Sequence, residues 1–133
     1  MIQYIASDVD GTLLHGHATT LNPELFDIIR QLKERGIHFI AASGRQYENL
    51  RHLFAPVKDD ISYVAENGSM CVHDDKIVSL GHIDTDLIYE IADAAKEYGH
   101  CHTLISTART GYTDSQDPDY IAHIRNDVGY NMD

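Results

Sequence analysis

Residues 5–14, IASDVDGTLL, contain the most informative pattern of this sequence. A short apolar run leads into two carboxylates one residue apart, Asp8 and Asp10, which are followed by Gly11 and Thr12. Because side chains alternate along an extended strand, Asp8 and Asp10 point to the same side. Two acids at the end of a buried strand favour a cation between them, and Mg²⁺ prefers oxygen ligands together with water and phosphate. A pair of solvated turn aspartates is the less specific alternative.

A second pattern follows the next predicted strand, residues 37–42. Ser43 follows this strand directly, and a helix is predicted over 44–53. A hydroxyl beside a helix N-terminus, where main-chain amides are free, is typical of phosphate binding. A plain N-cap role for Ser43 is the alternative. Parallel strands would bring Asp8 and Ser43 to the same carboxyl edge, where open α/β sheets bind their ligands.

Apolar periodicity predicts the remaining elements. Asn22 and Pro23 begin a helix that Gly36 ends, and its apolar face is expected in the core. Strand, helix, strand, helix, strand at the start of the chain predicts a parallel sheet of the α/β class. The later segments are a strand at 61–65, a hairpin of 69–73 and 76–80, a helix at 85–98 with a core-facing apolar side, a strand at 101–106 and a helical stretch near 120–124.

Three segments together resemble one family. Residues 8–14 resemble the first motif of the haloacid dehalogenase (HAD) superfamily of phosphohydrolases, in the branch called Cof-type or subfamily IIB. The S-G-R sequence at 43–45 resembles the second motif of that family. The A-E-N-G-S sequence at 65–69 resembles the turn where the family's chain leaves the core for an inserted cap domain.

The resemblance implies a fold and an activity. It implies a partial Rossmann-like parallel-sheet core over residues 1–66, followed by the start of an α/β cap over 67–133. The implied activity is Mg²⁺-dependent hydrolysis of small phosphorylated metabolites, such as sugar or cofactor phosphates, through an aspartyl-phosphate. Asp8 would be the nucleophile and Asp10 the acid/base, and both would ligate Mg²⁺, Asp10 through its main-chain carbonyl. The expected phosphate- and substrate-binding residues are Gly11, Thr12, Ser43, Gly44 and Arg45.

The turn at Asn67-Gly68 has a sufficient explanation in backbone conformation, because both residue types readily adopt a positive φ. A hinge role is therefore the prediction for this turn. A substrate contact from Asn67 is left open as an alternative.

Two expected motifs have no place in this sequence. The family's lysine has no counterpart, since Lys58, Lys76 and Lys96 all precede the position expected for it, and no G-D-x-x-x-D segment follows an apolar strand. We therefore expect the N-terminal portion of a longer phosphatase, or a natural truncation. The alternative function is a catalytically incompetent module that acts by phosphate or Mg²⁺ binding or by self-association. A phosphomutase, which shares the first motif, is a closer alternative.

Composition limits the partners. The chain has 133 residues, about one domain, and a formal net charge of −11, which argues against nucleic acid. No apolar run is long enough for a membrane span, and no secretory signal is recognisable, so a cytoplasmic protein is expected. The expected partners are a small phosphorylated metabolite and a second copy of the chain, which would pair with the exposed edge of the first strand.

Cysteine and histidine add no predicted metal site. Cys71 and Cys101 lack C-x-x-C spacing and are predicted to be reduced. His15 and His17 are predicted to be solvated loop residues. The His100-Cys101-His102 sequence places its two imidazoles on one face, too few ligands for structural zinc.

Overall fold

The structure, a computed structural model, describes residues 2–16 and 18–132. The chain divides into two compact units, Met1–Leu80 and Gly81–Asp133. The first unit combines a five-stranded sheet with helices, which confirms the predicted α/β class. Its elements are β1 (Tyr4–Asp8), α1 (Pro23–Glu34), β2 (His38–Ala42), α2 (Tyr47–Leu53), β3 (Ser62–Ala65), β4 (Met70–His73) and β5 (Lys76–Leu80), with short 3₁₀ turns at Ala55–Val57 and Glu66–Gly68.

The sheet has the order β1-β2-β3-β4-β5. The first three strands are parallel, and β4 and β5 continue the sheet antiparallel. Asp8, the last residue of β1, pairs in register with Ala42, the last residue of β2. The loops that follow these two strands therefore start side by side at one edge of the sheet.

Local sequence signals set the bounds of α1 as predicted. The Asn22 side chain accepts a hydrogen bond from the Glu24 N–H at 3.0 Å, and Pro23 occupies the first helical position. Gly36 follows the helix with a φ of +72°, a conformation that suits glycine. Ile29 is buried against the sheet side of the unit, whereas Ile28 is half exposed, so only part of the apolar face lies in the core.

Aromatic side chains fill the core around α2. Phe39 of β2 lies 6.2 Å from Phe54 between ring centroids, and Tyr47 of α2 packs edge-on against Tyr63 of β3 at 5.2 Å. Leu50 of α2 is fully buried. This packing fixes where the loop after β2 and the turn after β3 leave the sheet.

The hairpin of β4 and β5 belongs to the first unit. Its turn residues Asp74 and Asp75 have φ values of 48° and 58°, as a tight two-residue hairpin requires. The division predicted after residue 66 therefore differs from the boundary between compact units at Leu80, because β4 pairs with β3 in the same sheet.

The first strand lies at the edge of the sheet and is not buried, so the prediction of a buried strand is wrong. The sheet order ends at β1, and no other described strand pairs with its outer side. Tyr4 is 63% exposed and Ile2, just before the strand, is 68% exposed. An edge of this kind was expected from the sequence, and it leaves main-chain donors and acceptors open to pairing.

The second unit contains α3 (Thr85–Tyr98), β6 (Ile105–Ser106), β7 (Gly111–Tyr112) and α4 (Pro118–Ala122), which continues as a π-helical turn over His123–Asp127. The strand predicted over 101–106 is limited to its last two residues. No described residue of α3 is buried, and Leu87 and Ile91 are about half exposed. The prediction that the apolar side of this helix lies in the core is therefore wrong. Within the described residues, no helix is long and apolar enough to cross a membrane.

Candidate active site

The loop after β1 closes tightly on the buried residue Val9. The main-chain N–H groups of Leu13 and Leu14 both donate to the Val9 carbonyl at 2.9 Å. Gly11 has a φ of +85°, which a residue with a Cβ adopts only with strain. Asp8 is left exposed at the end of the strand, and the Thr12 hydroxyl lies 3.4 Å from its Oδ2.

Asp10 is held by Arg45. The guanidinium donates through Nη2 to Asp10 Oδ1 at 2.7 Å and through Nε to Oδ2 at 2.9 Å, which is a bidentate pair. Asn49 of α2 accepts from Arg45 Nη1 at 2.9 Å and orients the guanidinium. The hydrogen bonds from Arg45 hold the pKa of Asp10 below its ordinary value, and those same bonds raise the pKa of Arg45. In this arrangement Asp10 is a carboxylate.

Ser43 is a buried hydroxyl at the end of β2. Its Oγ accepts a hydrogen bond from the Arg45 N–H at 3.2 Å and lies 3.4 Å from Asp10 Oδ2 as a donor. The prediction that a helix starts at Gly44 is wrong, because α2 begins at Tyr47. Ser43, Gly44 and Arg45 thus lie in a loop before the helix.

Two main-chain hydrogen bonds explain why this loop is not helical. The Glu66 N–H donates to the Arg45 carbonyl at 3.0 Å, and the Asn67 N–H donates to the Ser43 carbonyl at 3.2 Å. Both carbonyls would be helix acceptors if the helix began at Gly44. Instead, both carbonyls accept hydrogen bonds from the turn after β3. The conformation of the loop after β2 therefore depends on the neighbouring strand and its turn.

A cavity of about 270 Å³ opens at this edge of the sheet. The structure brings Asp8, Ser43 and Gly44 of the predicted site together on its wall. Asp10, Gly11, Thr12 and Arg45 are not among the residues that line it. The described residues that line it are Asp8, Ala42, Ser43, Gly44, Val64, Asn67 and Gly68.

Asn67 also lines the cavity, whereas the sequence predicted a hinge role for its turn and left a substrate contact as the alternative. Its position after β3, at the same carboxyl edge as Asp8 and Ser43, was the available signal. Of the histidines, His15 is exposed, whereas His17 lies outside the described residues. His102 stacks on Tyr120 at 4.2 Å.

The cavity wall offers Mg²⁺ one carboxylate, that of Asp8. Proteins often hold this ion with one or two carboxylates plus water and substrate phosphate, so this number is sufficient. Arg45 binds the carboxylate of Asp10, so the carboxylate of Asp8 is the one of the two that remains available to a cation. Among the residues that the structure describes, no group of three or more His, Cys, Asp or Glu side chains is close enough to form a metal site.

Comparison with known proteins identifies the family of this chain. A sequence profile of haloacid dehalogenase-like hydrolases matches residues 5–132, so the chain belongs to this family. It is similar to the 5-amino-6-(5-phospho-D-ribitylamino)uracil phosphatase YbjI of Escherichia coli (strain K12), with 35% identity over 92 residues, 69% of this chain and 34% of that protein. These matches confirm the resemblance stated from the sequence.

Solved structures show the same fold. A crystal structure of a protein from Eubacterium rectale superimposes with a TM-score of 0.87 and 26% identity, over 99% of this chain and 50% of that one. The HAD subclass IIB sugar phosphatase BT4131 has a TM-score of 0.74 at 18% identity, over 98% of this chain and 50% of that one. The chain therefore spans about half the length of these structures and about a third of the curated relative.

Proposed function

We propose that this chain carries the nucleophile and phosphate-binding part of a Mg²⁺-dependent phosphomonoester hydrolase that acts through an aspartyl-phosphate. The observation that carries the proposal is the shared cavity of Asp8 and Ser43 at the carboxyl edge of the parallel strands. An exposed carboxylate and a hydroxyl on the wall of one cavity suit a phosphoryl group, because the carboxylate supplies the nucleophile and the hydroxyl binds an oxygen.

In the first step, a carboxylate oxygen of Asp8 attacks phosphorus, and the bond from phosphorus to the ester oxygen breaks. The leaving oxygen takes a proton from Asp10. In the second step, Asp10 removes a proton from water, which attacks the aspartyl-phosphate, releases phosphate and restores Asp8. Ser43 and the loop amides near Gly44 bind phosphoryl oxygens in both steps.

The pair between Arg45 and Asp10 bears on the proton transfer. Arg45 favours the carboxylate form of Asp10, which suits the base of the second step. The acid of the first step must carry a proton, so Arg45 would have to turn from Asp10 to the anionic substrate before the ester bond breaks. Arg45 thereby becomes a substrate-binding residue in the proposal.

Asp8, through its carboxylate, and Asp10, through its main-chain carbonyl, would hold Mg²⁺. When bound, the ion neutralises negative charge on the phosphoryl group and so permits attack by an anionic carboxylate. The chain's net charge of −11 makes such local neutralisation necessary, since the protein as a whole repels phosphate.

The substrate class is a small phosphorylated metabolite. The support is similarity to YbjI, whose name gives a phosphorylated ribityl compound as its substrate, and to a phosphatase of sugar phosphates of the same fold. We also propose a cytoplasmic location, supported by the unpaired cysteines Cys71 and Cys101. Self-association through the exposed edge of β1 is a further proposal, supported by the position of that strand.

The test is hydrolysis of an aryl phosphate by the 133-residue chain with Mg²⁺, compared with Asp8→Asn and with an EDTA control. Asp8→Asn should abolish turnover because an amide oxygen cannot form the phosphoenzyme. Asp27→Asn, in an exposed ion pair with Arg30, is the matched control and should retain full activity. Turnover that survives Asp8→Asn would contradict the proposal.

A binding module without turnover is the second candidate. Among the described residues that line the cavity there is no lysine, the cation that the resembling family uses to stabilise the aspartyl-phosphate. Phosphate binding that depends on Ser43 in a folded chain without turnover would favour this second candidate.

A further inference from the structure

The side chain of Asn67 lies at the wall of the cavity. Asn67 lines the cavity together with Asp8 and Ser43. Within the described part of the chain, its carboxamide makes no hydrogen bond, in contrast to the fully engaged guanidinium of Arg45. The amide therefore offers free N–H donors where the proposed phosphoryl group would sit.

The backbone of Asn67 is held in an uncommon conformation. Its φ and ψ are 55° and 31°, and Glu66 before it also has a positive φ of 53°. Two successive residues with side chains in the left-handed region are costly, and asparagine tolerates this region better than most residues. The hydrogen bond from the Asn67 N–H to the Ser43 carbonyl fixes the turn against the loop after β2.

Gly44 leaves room for this amide. A Cβ at position 44 would lie 2.8 Å from Asn67 Oδ1, closer than real Cβ atoms approach, and 3.2 Å from Nδ2, so the Asn67 side chain would have to shift. The carboxamide thus occupies the space that a side chain at position 44 would take. Because Gly44 has no side chain, the Asn67 carboxamide can lie against it.

A neutral donor suits this place chemically. A lysine or arginine here would compete with Mg²⁺ for the Asp8 carboxylate. A carboxamide donates hydrogen bonds to an anion without supplying a counter-charge to the nucleophile.

We propose that Asn67 is a phosphoryl-binding residue, whose carboxamide N–H donates a hydrogen bond to a non-bridging oxygen of the phosphoryl group held between Asp8 and Ser43. The inference rests on the proposed function of the same site. It adds a third binding element, contributed by the turn after β3, to the loops after β1 and β2.

Binding of inorganic phosphate to the 133-residue chain with Mg²⁺, measured by calorimetry, tests the inference without requiring turnover. Asn67→Gly removes the amide and tolerates the left-handed backbone, and we expect about tenfold weaker binding, the effect of one hydrogen bond to a charged group. Asn67→Asp keeps the shape but replaces the donors by a charge that repels phosphate, so binding should weaken further. Asp74→Gly, at another left-handed position away from the cavity, should leave the affinity within about twofold.

A double-mutant cycle isolates the contact with Gly44. Gly44→Ala should weaken phosphate binding strongly in the wild type, because the new Cβ displaces the amide. The same substitution should have a smaller effect in the Asn67→Gly background, where nothing remains to be displaced. Thermal unfolding of each variant shows whether it is folded.

The outcomes separate this inference from the proposed function. If Asn67→Gly binds phosphate as tightly as the wild type while Ser43→Ala binds weakly, the inference is overturned and the proposed function stands. If the folded wild type binds no phosphate, both are overturned. Equal effects of Gly44→Ala in the two backgrounds also contradict the inference.

Discussion

Ser62 joins two histidines across the sheet, and its removal gives the sharpest test of the fold. Its Oγ lies 2.8 Å from Nε2 of His38 on β2 and 2.7 Å from Nδ1 of His73 on β4. The ring centroids of the two histidines are 4.9 Å apart, and Asp74 approaches Nε2 of His73 at 3.6 Å. With both rings neutral, one ring donates to Ser62 and the other accepts from it, so each polar atom facing the hydroxyl is satisfied.

Ser62→Ala removes both hydrogen bonds and leaves two ring nitrogens facing a methyl group. At about 0.5–1.5 kcal/mol for each net hydrogen bond, the loss would be about 1–3 kcal/mol. The His73 side chain is 47% exposed, so water replaces part of its bond and the lower half of that range applies. For a protein of this size we expect the melting temperature to fall by about 3–6 °C.

The network also predicts how stability depends on pH. Burial, and next the neighbouring His73, lower the pKa of His38 from its ordinary value of 6.5. The unfolded chain binds a proton at His38 more readily than the folded chain does. The contribution of neutral His38 to stability is therefore fully present above pH 6.5 and is lost as the pH falls below that value. Two protonated rings would repel each other and leave the Ser62 hydroxyl proton without an acceptor.

Denaturant unfolding followed by circular dichroism, at pH values above and below 6.5, measures both effects. His38→Gln should reduce the loss of stability at acid pH, whereas His15→Gln, at an exposed loop position, should not change it. The reasoning fails if Ser62→Ala is as stable as the wild type at neutral pH. It also fails if wild-type stability stays constant or rises as the solution is acidified.

Three further predictions concern single positions. Asn22→Ala removes the N-cap bond of α1 and should destabilise the first unit by about 1 kcal/mol in the same unfolding assay; no loss would mean that the cap is replaced by water. Arg45→Ala should raise the pKa of Asp10 toward its ordinary value in a carboxyl NMR titration, with only a small loss of stability because both side chains of the pair are partly exposed; an unchanged pKa would contradict the bidentate pairing. Ile2→Lys places a charge beside the edge of β1 and should reduce any concentration-dependent association in sedimentation velocity; a wild type that stays monomeric would remove the support for self-association.

Much of the fold follows from local sequence. The cap at Asn22, the glycine at position 36 and the Asp74-Asp75 turn each specify a boundary through the conformation of one or two residues. The acidic pair of residues 8–10 after an apolar strand likewise indicates where the site lies. These signals act between residues that are close in sequence, so they can be recognised without a structure.

The start of α2 shows where local reasoning fails. Ser43 followed by glycine favours a helix from position 44, yet the turn after β3 takes the carbonyls of Ser43 and Arg45 and delays the helix to Tyr47. The apolar side of α3 is a related case. Periodicity identifies an amphipathic helix, but its burial depends on what packs against it.

The sequence alone predicts the α/β class, the strand before Asp8 and the elements with strong caps or turns. The structure adds that Asn67 shares a cavity with Asp8, that the Asn67 amide lies where a side chain at position 44 would be, and that Ser62 links two histidines. The reason is that pairing parallel strands brings together residues far apart in the chain. The spacing of residues along the sequence does not show which of these distant residues form hydrogen bonds or come into steric contact.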